Sequence, residues 1–289
     1  MKAEIIITAK GHAGTQATLH QDFTCHLLHE AKDREAFLRQ HAPGVRGLAT
    51  FGPMPVDGRF MDALSKLEII ANFGVGVDAI NLADAKSRGI IVTNTPDVLN
   101  EAVADTALAL ILNTVRQFPQ AERHLRAGRW ASQAPYPLTA DAGGKTLGIL
   151  GLGRIGEAIA KRALACGMRI RYHNRNRKDV PYPYDADPVA LAANSDVLMV
   201  VTPGGVETHK LVGAKVLDAL GPKGYLVNIA RGSVVDEPRV PAEFFKLDNC
   251  VLLPHVGSAT QGTRKAMGDL QIENLRLHFA GKPARTRVV

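Results

Sequence analysis

The feature that most constrains the fold is a glycine-rich turn between an apolar strand pattern and a helical pattern. Residues 145–156 read KTLGILGLGRIG, and the helical pattern continues to Ala165. In such a turn the first glycine permits the tight bend, the second lets the backbone approach a pyrophosphate, and the third allows close helix–strand packing. The phosphates then bind N–H groups at the positive end of the helix dipole. The sequence therefore predicts a dinucleotide site at Gly151, Leu152, Gly153, Arg154, Ile155 and Gly156.

The residue that discriminates between NAD and NADP is expected about 20 positions after this motif, at the end of the second strand. NAD-specific sites carry Asp or Glu there to bind the ribose 2′-hydroxyl. This chain has Asn174 and Arg175 instead, within the run HNRNRK at 173–178. Because a guanidinium binds a 2′-phosphate through charge-assisted hydrogen bonds, the sequence favours NADP(H), with NAD(H) as the alternative cofactor. The alternative interpretation of the run is a solvated basic turn.

The order of the predicted elements indicates an α/β fold. Alternating β-branched runs and helical segments predict helices on both faces of parallel sheets. A long helix is expected after Pro96, with Asn100 as its N-cap and Pro119 as its kink or end. The strands are predicted at 4–9, 45–51, 68–73, 89–94, 146–150, 168–173, 196–201, 225–229 and 251–253. Other helices are predicted at 33–41, 80–88 and 262–280, and a loop at 130–144.

Composition excludes several classes of protein. The 289 residues are 46% hydrophobic and 22% charged, which is typical of a globular protein. No apolar run approaches the roughly 20 residues of a membrane span, and the N-terminus lacks a signal-peptide pattern, so we expect a cytoplasmic protein without a membrane partner. Cys25, Cys166 and Cys250 are isolated, which predicts no metal site. The net charge of +7 accompanies no nucleic-acid-binding motif, and it suits small anionic ligands.

Runs along nearly the whole chain resemble the D-isomer-specific 2-hydroxyacid dehydrogenases. They read NFGVGVD at 72–78, VTNTP at 92–96, VADT at 103–106, RAGRW at 126–130, NIARG at 228–232 and PHVGSAT at 254–260. Within that family, the sequence is most similar to those of glyoxylate/hydroxypyruvate and hydroxyphenylpyruvate reductases. The resemblance implies a Rossmann-type dinucleotide-binding domain at 99–261 and a flavodoxin-like substrate-binding domain at 1–98 plus 262–289, with a cleft between them. It also implies NADPH-dependent reduction of a small 2-keto acid to the D-2-hydroxy acid.

The resemblance assigns roles residue by residue. Arg231 matches the arginine that grips the substrate carboxylate and polarises the ketone, and His255 matches the proton donor. Val75 and Gly76 match the loop whose backbone amides hold the carboxylate. Positions matching cofactor contacts are Thr106 at the pyrophosphate, Thr202 and Pro203 at the adenosine, Ile229 and Ala230 at the nicotinamide, and Gly257 together with Arg231 and His255.

One departure from the family pattern is large. Family members carry a helix and a buried strand between the NIARG and PH motifs, whereas Arg231 and His255 are only 24 positions apart here. Residues 234–241 (VVDEPRVP) resemble the start of the family's segment joined directly to its end. Glu237 therefore matches either the carboxylate partner of the histidine or an ordinary loop residue. The aspartate that contacts the nicotinamide in the family has no counterpart here. Either the protein lacks the segment at Asp236/Glu237, or the printed sequence omits it. Losing a buried strand should cost several kcal/mol of a total free energy of unfolding of ~5–15 kcal/mol, which favours omission of the segment from the printed sequence.

Two further functions stay open. One is another branch of the same family, of the phosphoglycerate or formate dehydrogenase type. The other is a catalytically impaired dinucleotide-sensing scaffold, like the C-terminal-binding-protein corepressors, if the deletion is real. The resemblance also implies a homodimer, in which the helix after Pro96 and the loop after Trp130 embrace a second subunit and Tyr136 lies near the partner's cleft.

Overall fold

The computed structural model describes residues 2–132, 135–236 and 246–289. The chain divides into two compact units. The first unit comprises Met1–Leu99 and Ala259–Val289, and the second comprises Asn100–Ser258. Each unit has its own sheet, and every pairing between the named strands is parallel in the described part of the chain. The predicted α/β class is therefore confirmed.

The sheet of the first unit has five strands in the order β2-β1-β3-β4-β5, which is the flavodoxin-like order. Its strands are β1 (Glu4–Ile7), β2 (Thr24–Leu27), β3 (Val45–Thr50), β4 (Ile69–Asn72) and β5 (Ile91–Thr93). Its helices are α1 (Ala13–Asp22), α2 (Arg34–His41), α3 (Gly58–Asp62), α4 (Leu82–Ser87) and α10 (Gln261–Phe279). The elements β2, α1 and α3 had not been predicted from the sequence.

Strand β1 shows why this sheet is covered on both faces. Ile5, Ile6 and Ile7 are each fully buried. Ile6 packs into one hydrophobic cluster, and Ile5 and Ile7 pack into another. Because successive side chains of a strand point to opposite faces, an uninterrupted apolar run requires helices on both sides of the sheet.

The sheet of the second unit has four strands in the order β7-β6-β8-β9. Its strands are β6 (Thr146–Leu150), β7 (Arg169–His173), β8 (Val197–Val200) and β9 (Tyr225–Asn228). Its helices are α5 (Asn100–Arg116), α6 (Phe118–Arg126), α7 (Arg154–Ala165), α8 (Pro188–Ala193) and α9 (Ala214–Leu220). The strand order reverses beside β6, and in open α/β sheets ligands bind at such a switch point, beyond the carboxyl ends of the strands.

The helix break expected at Pro119 is confirmed. Helix α5 ends at Arg116, Gln117 adopts a left-handed backbone conformation with φ of 51°, and α6 begins at Phe118 with Pro119 in its first turn. Proline is well tolerated there because the N–H groups of a first helical turn have no intrahelical partner.

The strand predicted at 251–253 is wrong. These residues form no strand, and Leu252 and Leu253 are 45% and 50% exposed. The resemblance implies a buried strand between the NIARG and PH motifs, and within residues 2–132, 135–236 and 246–289 no strand pairs with this short apolar run. Within the described ranges, no helix combines the length and the apolar character needed to cross a membrane.

Candidate active site

Packing fixes two of the three motif glycines. Gly151 has φ of 104°, and a Cβ atom on it would lie 2.9 Å from the backbone nitrogen of Thr202. A Cβ atom on Gly156 would lie 2.6 Å from the carbonyl oxygen of Gly151. Any side chain at either position would therefore push apart the turn, the start of α7 or the end of β8.

Gly153 differs, because the space in front of it is open. No heavy atom lies within 4 Å of the position that its Cβ would take, and its φ of −92° is accessible to any residue. It is the N-cap of α7, whose first-turn N–H groups have no partner within the helix. Open space beside such donors fits a pyrophosphate group, so Gly153 and the first turn of α7 are the residues that would hold it.

Asn174 fastens this turn from the neighbouring strand end. The N–H of Leu152 donates to Asn174 Oδ1 at 2.6 Å, and Asn174 Nδ2 donates to the Leu152 carbonyl at 3.2 Å. The Tyr184 hydroxyl donates to the Asn174 carbonyl at 3.1 Å. The sequence placed Asn174 at the selectivity position, but its side chain is engaged with the glycine turn. The side chain that extends from this position toward solvent is that of Arg175.

Arg175 forms an ion pair that the sequence did not reveal. Its side chain is 77% exposed, and its Nη1 atom lies 2.5 Å from Oε2 of the equally exposed Glu207. Arg175 follows β7 and Glu207 follows β8, and these two strands flank β6 on opposite sides. The ion pair therefore joins loops from both sides of the switch point. An exposed pair of this kind contributes only ~0–1 kcal/mol, so an incoming anionic group can displace the carboxylate.

Thr202, at the end of β8, supplies a polar atom without a partner. Its Oγ1 is buried, and no residue of the described ranges forms a hydrogen bond with it. Thr202 also borders Gly151 through its backbone, whereas the adjacent Pro203 is exposed. A buried unsatisfied hydroxyl is costly, and a ligand hydroxyl or ring nitrogen would satisfy it. This observation fits a nucleoside on that side of the turn.

The turn that carries Arg231 is held by Asn228, the last residue of β9. The Ala230 N–H donates to Asn228 Oδ1 at 2.9 Å, and Asn228 Nδ2 donates to the Arg231 carbonyl at 3.0 Å. Arg231 Nη1 in turn donates to the Ala230 carbonyl at 2.9 Å. Ile229 lies inside this turn and is half-buried. Asparagine often bonds to a nearby backbone at a strand end, and that tendency is the signal by which sequence reasoning could have found Asn228.

The structure brings the segment containing His255 to helix α5. Thr106 Oγ1 donates to the Gly257 carbonyl at 3.3 Å and to the Ala102 carbonyl at 3.1 Å. His255 itself is exposed. Thr106 and Gly257, predicted separately as cofactor contacts, are therefore neighbours. Glu237, the predicted partner of the histidine, lies outside the described residues.

The predicted carboxylate loop, Val75 and Gly76, follows β4 in the first unit and is half-buried. Arg264, which the sequence analysis did not single out, places its guanidinium carbon 5.6 Å from the ring centre of Phe73, two residues before Val75. Burial lowers the pKa of Arg264 from its ordinary value, but a guanidinium stays charged at neutral pH. The loop therefore has a permanent positive charge nearby.

The described part of the chain contains no group of three or more His, Cys, Asp or Glu side chains that could hold a metal ion. The described residues do include a histidine, arginines and a glycine turn, which suit proton transfer, anion binding and contact with a dinucleotide respectively. The chemistry that these groups can support is recognition of anions and proton transfer beside a bound dinucleotide.

Substitutions of Gly153 and Gly156 should have opposite effects on stability and on cofactor binding. Gly153→Ala should leave the free energy of unfolding within about 1 kcal/mol, because its methyl group meets nothing, but it should weaken NADPH binding at least about tenfold by filling the pyrophosphate space. Gly156→Ala should instead destabilise the protein, because its methyl group meets the Gly151 carbonyl. Urea unfolding and NADPH fluorescence titration measure the two quantities. Unchanged NADPH affinity in a folded Gly153→Ala variant would contradict the assignment.

Comparison with known proteins shows which family this chain is similar to. Residues 108–242 match the model of the D-isomer specific 2-hydroxyacid dehydrogenase, NAD binding domain. The chain is 44% identical over 281 residues to glyoxylate/hydroxypyruvate reductase A of Arabidopsis thaliana, covering 89% of this chain and 90% of the relative. It is 43% identical over 277 residues to hydroxyphenylpyruvate reductase of Plectranthus scutellarioides, covering 88% of each.

A solved structure is similar over the whole chain. It is the NADPH-dependent glyoxylate/hydroxypyruvate reductase of Sinorhizobium meliloti, in complex with NADP and malonate, with a TM-score of 0.92 and 41% identity. The match covers 100% of this chain and 97% of that one. With relatives this similar over this much of the chain, and with the glycine turn, Asn174 and Arg231 placed as described, the protein belongs to the D-isomer-specific 2-hydroxyacid dehydrogenases, a family of nicotinamide-dinucleotide-dependent oxidoreductases.

Proposed function

We propose that this protein reduces a small 2-keto acid of the glyoxylate or hydroxypyruvate type to the D-2-hydroxy acid, with NADPH as the preferred reductant. The observation that carries the proposal is the turn after β9, where Asn228 holds the backbone around Arg231 in the same unit as the dinucleotide turn. The names of the relatives support the same substrate class.

Each proposed catalytic group has a defined task. The dinucleotide, when bound, supplies a hydride to the carbonyl carbon of the keto acid. Negative charge then develops on the carbonyl oxygen, and a fixed cation and a proton donor stabilise that charge. The Arg231 guanidinium binds the substrate carboxylate and polarises the ketone, since its planar fork can form two parallel hydrogen bonds. His255 transfers its proton to the oxygen, because an imidazole side chain can act as a general acid.

Substitutions should separate these two roles. Arg231→Ala should raise KM for glyoxylate and lower kcat together, because the guanidinium acts in both the ground state and the transition state. His255→Ala should mainly lower kcat, by about 10²–10⁴-fold. KM and kcat are both measured from NADPH oxidation at 340 nm. His209→Ala is the matched control, because His209 is also an exposed histidine. Full activity in His255→Ala would refute the mechanism.

The same assay distinguishes the reductase from a dinucleotide-sensing scaffold. A scaffold binds NADPH without keto-acid-dependent oxidation, and it is the expected result if no carboxylate reaches His255. If Glu237 is that carboxylate, Glu237→Gln removes a charge that stabilises the imidazolium, and the pKa of the histidine falls. The alkaline limb of the kcat/KM profile for reduction, where the imidazolium loses its proton, then moves to lower pH. An unmoved profile would assign Glu237 to the loop.

The NADPH preference rests on charge at the end of β7. Arg175 occupies the position where an NAD-specific enzyme needs a carboxylate, and its exposed guanidinium can exchange Glu207 for a 2′-phosphate. Asn174 cannot replace that carboxylate, because its side-chain oxygen already accepts the Leu152 N–H. NADH lacks the phosphate and gains nothing from Arg175.

Arg175→Ala should therefore reduce kcat/KM for NADPH by roughly tenfold to a hundredfold, the equivalent of ~1.5–3 kcal/mol, and leave that for NADH nearly unchanged. Arg169→Ala is the matched control, because Arg169 is the first residue of β7, whereas Arg175 follows the last residue of that strand. Equal use of NADPH and NADH by the wild-type protein would contradict the proposed preference.

We also propose a homodimer with two-fold symmetry. Helix α6 and the chain after it expose large apolar side chains, namely Phe118, Leu125, Trp130 and Leu138. Several exposed apolar side chains along one segment are typical of an interaction surface, and two-fold dimers are the commonest assembly. Tyr136, expected near the partner's cleft, donates from its hydroxyl to Gln117 Oε1 at 3.0 Å in its own unit.

Light scattering should therefore give about twice the chain mass of 31.0 kDa at micromolar concentration. Leu125→Glu should shift the population toward the single-chain mass by placing a charge in the buried contact. Leu164→Glu is the control and should leave the mass unchanged, because Leu164 lies on α7 and is also an exposed leucine, at 45% against 56% for Leu125. A wild-type mass near 31 kDa would contradict the dimer.

A further inference from the structure

Three successive carbonyl groups in the loop after β4 are tied up by hydrogen bonds. The Gly74 carbonyl accepts from the Thr95 N–H at 2.9 Å and from Asn72 Nδ2 at 3.1 Å. The Val75 carbonyl accepts from Asn94 Nδ2 at 2.9 Å, and the Gly76 carbonyl accepts from Asn72 Nδ2 at 2.9 Å. Two asparagine side chains thus take up the accepting groups of the whole loop.

The orientation of the Asn72 amide follows from its surroundings. Asn72 is the last residue of β4, and Thr50 is its register neighbour on β3. The Thr50 hydroxyl donates to Asn72 Oδ1 at 2.9 Å, and both residues are buried. Because the Asn72 amide faces the carbonyl oxygens of Gly74 and Gly76, it turns its NH₂ group toward the loop. Its two N–H bonds then bridge the residues on either side of Val75.

Asn94, which follows β5, is fixed by its own backbone. Its N–H donates to the Thr286 carbonyl at 3.2 Å, and its carbonyl accepts from the Thr286 hydroxyl at 2.6 Å. Asn274, which is fully buried in α10, donates to that hydroxyl oxygen at 2.8 Å. The Asn94 amide therefore reaches the loop from a rigid support.

The N–H groups of Val75 and Gly76 differ from these carbonyl groups in their hydrogen bonding. Residues 2–132, 135–236 and 246–289 provide neither of them with a hydrogen-bond acceptor. Successive backbone N–H groups without acceptors form a concavity that binds anions. Water could satisfy the carbonyls of a half-buried loop, so burial alone does not require two asparagines there.

We propose that Asn72 and Asn94 are positioning residues, which hold the carbonyls of residues 74–76 so that the Val75 and Gly76 amides receive the substrate carboxylate. This inference rests on the proposed reduction of a 2-keto acid. Neither asparagine touches the substrate, and their contribution is to the orientation of the amides that do. Carboxylate affinity in this unit thus depends on two side chains behind the loop.

Asn72→Asp tests the proposal with almost no change in side-chain volume. The carboxylate removes both donated bonds and faces two carbonyl oxygens, so the loop loses its fixed orientation. KM for glyoxylate should rise at least about tenfold, while kcat at saturating glyoxylate and KM for NADPH stay within about threefold. Asn94→Ala removes one donor from a half-buried position and should raise KM less. It keeps the test valid if Asn72→Asp folds poorly.

Two controls separate positioning from general destabilisation. Asn81 caps α4 in the same unit, where its Oδ1 accepts from the Asp84 N–H at 3.0 Å. Asn81→Ala should lower stability by about as much as the loss of a helix cap does, but leave KM for glyoxylate unchanged. Thr50→Ser keeps the hydroxyl that orients Asn72 and should retain wild-type KM, whereas Thr50→Val should raise it. Wild-type KM in both Asn72→Asp and Asn94→Ala would overturn the proposal.

A second readout does not depend on turnover. In ¹H–¹⁵N spectra of the wild-type protein, sodium glyoxylate should shift the Val75 and Gly76 amide signals, and sodium chloride at equal ionic strength should not. Asn72→Asp should weaken the response, and Asn81→Ala should keep it. If the wild-type protein oxidises no NADPH but shows these shifts, the proposed function fails while the positioning role stands. If the amides do not respond to glyoxylate, the positioning role fails.

Discussion

Parallel strand pairing is the constraint on which the functional geometry of this protein depends. When all strands of a sheet run the same way, their carboxyl ends share one edge, and the loops that follow them collect there. In the second unit this edge gathers the glycine turn after β6, Asn174 after β7, Thr202 after β8 and the Arg231 turn after β9. In the first unit it gathers Asn72, the loop at 74–76 and Asn94. Residues far apart in sequence become neighbours for this reason.

Asparagine side chains at strand ends recur as the means of fixing these loops. Asn72, Asn94, Asn174 and Asn228 each stand at or just after the end of a parallel strand, and each bonds to the backbone of a loop. An amide suits this task because one group offers both a donor and an acceptor without charge. A carboxylate would repel the carbonyls, and a hydroxyl would reach fewer of them. The loops proposed to bind anions are thereby fixed before any ligand arrives.

The short connection between Arg231 and His255 affects the two halves of the proposed chemistry differently. The Arg231 turn depends on Asn228 and on β9, both of which precede the short connection. Residues 251–253 lack strand structure, and His255 is exposed, so the region that follows the connection has lost the support of a sheet. The Gly257 carbonyl nevertheless bonds to Thr106 on α5. The proposed recognition of the carboxylate by Arg231 therefore depends on residues before the connection, whereas the proposed proton donation by His255 depends on residues after it.

The sequence was enough to predict the α/β class, the glycine turn and most strand positions, because local hydrophobic periodicity and glycine spacing are properties of neighbouring residues. It also indicated Arg231, His255, Val75 and Gly76, since these lie in recognisable runs. The fold was needed to reveal what Asn174 and Asn72 do, because their partners are loop carbonyls and amides that face them across strand ends. It also decided the Arg175–Glu207 pair, which joins residues 32 positions apart, and the failure of 251–253 to form a strand. A strand needs a neighbour, and no local pattern shows whether that neighbour is present.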